Sequence, residues 1–92
     1  ERDPRSAQAY FFLGVTLSEQ NEMAEAALAY ECEMRLDPNL AEAHWNLALA
    51  YAVLDRPADA VSQFEAFITL TPDSVEADRA RAMITLLQES AP

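Results

Sequence analysis

The 92-residue chain has no lysine, one glycine, one cysteine, one histidine and no long apolar run. Each of these absences bears on function. All six basic residues are arginine, against 16 acidic ones, so the formal net charge is −10. Such a surface repels nucleic-acid phosphates and anionic lipid, and its field favours basic partners. The same charge also keeps a protein soluble whatever it binds. The single glycine, Gly14, rules out a glycine-rich phosphate loop and lies where two helices can approach closely. Cys32 is alone, so no intrachain disulfide forms, and it reads as an ordinary free thiol. His44 lacks the companions that a metal site or an acid–base dyad requires, and it reads as a packing residue. No apolar run nears the roughly 20 residues that span a bilayer, and no secretory signal opens the chain. No Ser-His-Asp or Cys-His spacing is present. The chain reads as a non-enzyme with no cofactor and no metal.

What the chain does have is a period. Pro4, Pro38 and Pro72 stand 34 residues apart. At the same offset Ala7 meets Ala41, Ala9 meets Ala43, Leu13 meets Leu47 and Ala26 meets Ala60. Leu36 meets Leu70, and Tyr30 meets Phe64. Eight of the 34 positions in 7–40 are identical to their partners in 41–74. A fixed period of this length marks a repeat protein, whose units stack because none buries its apolar face alone. Glu1-Arg2-Asp3-Pro4 falls at a repeat boundary and lacks a starting Met. Residues 1–6 therefore read as the end of a preceding repeat, and the chain as a fragment. The 18 alanines and the all-arginine basic set point to a GC-rich, bacterial genome. Either the cytoplasm or the cell envelope is compatible with that.

Apolar spacing predicts five helices. Residues 7–20 carry Tyr10, Leu13, Gly14 and Leu17 on one stripe. Asn21-Glu22 ends that helix, because asparagine tolerates the left-handed backbone of a helix terminus. A second helix, 23–36, sets Ala26, Ala27, Tyr30 and Met34 on one face, and Asp37-Pro38 stops it. The third, 41–54, carries His44, Leu47, Ala48 and Tyr51. Pro57 suits the first turn of the fourth, 58–70, which buries Ala60, Val61, Phe64, Phe67 and Ile68. Asp73 or Ser74 caps the fifth, 75–89, whose apolar face is Ala77, Ala80, Ile84 and Leu87. Short connections make neighbouring helices antiparallel. The expected core includes Leu13, Leu17, Tyr30, Leu47, Tyr51 and Phe64.

These residues resemble the tetratricopeptide repeat. The first copy reads Tyr10-Phe-Phe-Leu13-Gly14-Val-Thr-Leu17 and the second His44-Trp-Asn-Leu47-Ala48-Leu-Ala-Tyr51. Ala26/Tyr30 and Ala60/Phe64 match the second helix of the unit, and Asp37-Pro38 and Thr71-Pro72 match its end. The resemblance implies an all-α, right-handed α-solenoid. Repeat 1 is then 7–40, repeat 2 is 41–74, and 75–92 is a C-terminal capping helix. Two positions depart from the pattern. Glu33 and Phe67 stand where the family has a small residue. Phe67 is sized to pack on the last helix, whereas Glu33 has no account from sequence.

The resemblance also implies a concave groove lined by the first helix of each pair. Gln8, Phe11, Phe12, Val15, Ser18 and Glu19 face it from the first copy. Glu42, Trp45, Asn46, Leu49, Ala52 and Val53 face it from the second, with Glu76, Arg79 and Met83 from the last helix. Its floor is apolar through Phe11, Val15, Trp45 and Leu49, and its edge is acidic through Glu19, Glu42 and Glu76. The lysine-asparagine-arginine clamp of chaperone-binding members is absent, since of the matching positions only Asn46 agrees. The expected function is a protein-interaction scaffold. It would hold an apolar or amphipathic segment flanked by basic residues, with Trp45 as a binding anchor of little consequence for the fold. The rival readings are self-association, and an accessory role in a larger enzyme or assembly.

Overall fold

The computed structural model describes residues 4–90, and every element in it is an α-helix: α1 (Pro4–Glu19), α2 (Met23–Leu36), α3 (Ala41–Val53), α4 (Pro57–Leu70) and α5 (Val75–Ser90). Glu1, Arg2 and Asp3 of the expected preceding repeat, and residues 91 and 92 of the expected cap, lie outside the described residues. α1 begins at Pro4 rather than at residue 7.

The period is written into the backbone hydrogen bonds. After α1, Asn21 takes φ 63°, and the Glu22 N–H donates to the Leu17 carbonyl at 2.8 Å. One repeat later Asp55 takes φ 60°, and the Arg56 N–H donates to the Tyr51 carbonyl at 2.9 Å. This six-to-one closure around a left-handed residue satisfies carbonyls that a helix end otherwise leaves orphaned. Asp and Asn replace the usual glycine there because their short side chains tolerate that conformation. The longer connections repeat as well. Leu40 N–H donates to Asp37 O at 3.1 Å, and Ser74 N–H to Thr71 O at 3.3 Å. Of the two expected caps for α5, Ser74 is the one used, its Oγ accepting from Ala77 N–H at 2.9 Å.

Each helix packs chiefly on its sequence neighbours, α1 on α2, α2 on α3, α3 on α4 and α4 on α5. That is the layout of a helical repeat stack. Alanines at the crossings make close approach possible. Ala26, Ala43, Ala48, Ala60, Ala77 and Ala80 are all fully buried. Leu47 and Phe64 fill the centre, with Tyr30 and Tyr51 buried beside them. His44 is buried as a packing residue. Its Nε2 faces the Pro38 carbonyl at 2.8 Å, which only accepts, so Nε2 carries the hydrogen. Its Nδ1 lies 2.7 Å from Gln63 Oε1.

The expected core fails at Leu13, which is 47% exposed although its repeat partner Leu47 is 0% exposed. The helix sequence at the two positions is alike, but the surroundings differ. α3 lies between α2 and α4, whereas α1 packs chiefly on α2. Leu17 is half-buried against the core. Among the described residues, no helix is long and apolar enough to cross a membrane.

Candidate functional site

Three depressions are lined by residues of α1 or α3 together with residues of the neighbouring helices and connections. One, of about 490 Å³, is lined by Ser18, Met23, Tyr30, Asn46, Leu49, Ala50, Ala52, Val53 and Met83. It therefore draws side chains from α1, α2, α3 and α5, which only the stacking of the hairpins brings together.

The other two are one structural place built twice. The first, of about 290 Å³, is lined by Ala7, Gln8, Phe11, Glu33, Asp37, Leu40 and Glu42. Adding 34 to each number yields Ala41, Glu42, Trp45, Phe67, Thr71, Ser74 and Glu76. Together with Leu40, these line the second depression, of about 440 Å³. The chemistry of the two diverges at the wall set by Glu33 and Phe67. In the second copy Phe67 meets the Trp45 ring, with centroids 5.1 Å apart, and Trp45 also meets Phe64 edge-on at 5.4 Å. In the first copy a carboxylate stands in the place of that aromatic ring.

Glu33 is 1% exposed, and its Oε1 has no hydrogen-bond partner. Burial, then the negative charges of Glu42 and Asp37, push its carboxyl up to about 7. The opposite side of α2 handles its acid differently. Glu31 accepts a hydrogen bond from the Tyr51 hydroxyl, and Arg35 stands 4.0 Å away. The Arg56 guanidinium lies 4.3 Å above the Tyr51 ring. Burial and the Glu31 bond push the Tyr51 phenol up to about 12, with Arg56 opposing. Burial, Glu33 and Glu19 raise that of Tyr30.

The residues expected in the groove separate into groups. Asn46, Leu49 and Val53 share the 490 Å³ depression, with Val53 65% exposed. Trp45, Glu42 and Glu76 share the second-repeat depression. Phe11 joins Glu42 in the first-repeat one and tilts against Phe12 at 5.4 Å. Phe12, Val15 and Glu19 are not among the side chains lining these three. Phe11, Val15 and Trp45 are half-buried against the core, so Trp45 carries part of the fold as well as part of the surface. Sequence reasoning passed over Glu33, Asp37 and Leu40 as lining residues. The signal was present in the departure at Glu33, an acid at a helix position where the family has a small residue.

The fold defines a helical repeat module with no strand among the described residues. A family model described as tetratricopeptide repeat matches residues 3–85. The chain belongs to the tetratricopeptide repeat family, whose members generally mediate protein–protein interaction. No curated protein matches the chain.

Proposed function

We propose that the concave face is the docking surface for a segment of another protein, apolar or amphipathic and flanked by basic residues. The observation that carries this is the 490 Å³ depression. Leu49, Val53 and Met83 meet there with a single carboxamide, Asn46, and no charged group. Exposed apolar side chains gathered in a concavity favour a partner. Glu42 and Glu76 line the second-repeat depression, and the net charge of −10 supports basic flanks on that partner. Apolar contacts then supply most of the affinity, and the acidic rim acts mainly on association rate and salt dependence.

Peptide display against the chain tests this. Selected peptides are expected to carry apolar anchors with Arg or Lys beside them. They should lose binding to Val53→Glu and Leu49→Glu, which alter exposed side chains and leave the core intact. Selected peptides that bind both variants as well as the parent would refute docking in the groove.

A second reading, self-association, is favoured by one observation. Tyr10 and Leu13 are 37% and 47% exposed on α1, at positions whose repeat partners His44 and Leu47 are buried on α3. Light scattering over a wide concentration range separates the readings, because self-association makes the mass rise with concentration.

A further inference from the structure

The depression between α1, α2 and the start of α3 contains a carboxyl oxygen, Oε1 of Glu33, with no partner among the described residues. We propose that it seats an arginine or lysine side chain of the docked segment, with Glu33 at its floor and Asp37 and Glu42 beside it. The proposal rests on the docking reading above and adds what the first repeat selects.

Three observations carry it. Glu33 is 99% buried by its 1% exposure, yet Oε1 has no partner. A buried acceptor left unpaired is costly, and an unpaired buried charge more so. The lining then defines what would complete it. Among the described residues, the charged groups facing Glu33 are Asp37 from the α2–α3 connection and Glu42 from α3, both acidic. The facing side chains of α1 are Ala7, Gln8 and Phe11. These carboxyl groups do not form a metal-binding cluster among the described residues. A guanidinium or ammonium on a flexible stem suits the place. Ala7, Phe11 and Leu40 would cover the stem, and Glu33 takes the charge-assisted hydrogen bond.

The third observation is the contrast with the next repeat. The same depression there has Phe67 in place of Glu33, Thr71 in place of Asp37, and an aromatic floor with Trp45. The two sites adjoin, since Leu40 and Glu42 line both. Side by side they select a basic residue next to an apolar one.

The test uses N-acetylarginine amide and its neutral isostere N-acetylcitrulline amide, followed by amide and carboxyl NMR shifts of the 92-residue chain at pH 8. Saturable shifts centred on Glu33, Asp37 and Glu42 are expected with the arginine probe, and binding at least about tenfold weaker with citrulline. Glu33→Gln is expected to lose the same factor. At pH 5.5, where Glu33 holds its proton, the arginine probe should bind roughly tenfold more weakly. Equal responses to both probes, an unchanged response in Glu33→Gln, or shifts spread evenly over the acidic surface would overturn the assignment. Loss of the arginine signal while groove peptides are still selected overturns this site alone. Failure of peptide selection with the arginine signal intact overturns docking in the groove alone.

Discussion

The ring of Tyr30 lies directly against Gly14, so close that a β-carbon at position 14 would stand 2.5 Å from Tyr30 Cε1 and 2.7 Å from Cδ1. The absence of a side chain lets α1 and α2 close on the tyrosine. Gly14→Ala gains up to about 1 kcal/mol of helix propensity. It must also displace a ring that is 6% exposed and packed on all sides, at a cost of about 1–3 kcal/mol. The net expectation is destabilisation by about 1 kcal/mol, read as a lower urea midpoint. A raised midpoint would mean that the ring swings away freely.

Leu13 and Leu47 occupy the same repeat position and should respond differently to truncation. Leu47→Ala is expected to cost about 2–5 kcal/mol, a large share of the stability of so short a stack. Leu13, 47% exposed, should cost about 1 kcal/mol or less. Matched urea titrations check the contrast. Equal losses would mean that Leu13 is covered in solution, as self-association requires.

Glu33 makes stability depend on pH. Its carboxyl moves from 4.5 to about 7 on folding, so the native state holds the proton more tightly than the unfolded chain. That contribution is fully present below pH 4.5 and is lost as pH rises through 7. The loss amounts to roughly 3 kcal/mol. Subtracting the unfolding free energy of Glu33→Gln from that of the parent removes the effect of the other carboxylates. The difference should move against the parent between pH 5 and pH 8. A flat difference would show that Glu33 titrates normally.

Tyr51 ties α3 to α2 through its bond to Glu31. Tyr51→Phe keeps the packing and removes the hydroxyl, so it is expected to cost about 1.5–3 kcal/mol, the range for a bond to a charged acceptor. In the parent an ultraviolet titration should reveal a phenol ionising at about pH 12, missing from the variant. The folded pKa is raised, so this contribution persists below pH 10 and fades as pH climbs through about 12.

By itself the sequence determined the helices, their period and most of the core. Those features depend on local rules and on repetition: apolar stripes at helical spacing, prolines at unit boundaries, and Asn21 where a left-handed residue ends α1. It also announced the family, because small residues, aromatics and proline recur together every 34 positions. Tertiary structure decided what each repeated position meets. Leu13 and Leu47 have the same local pattern, but burial requires a helix on the other side, which α3 has and α1 lacks among its main contacts. Trp45 reads as a free groove residue along its own helix, yet Phe64 and Phe67 of the following helix claim its ring. Glu33 is the sharpest case. Helix spacing shows only an acid at an unusual position. Its burial, its missing partner and its raised proton affinity arise from α1, α3 and the connection closing around it, and no local pattern encodes that proximity.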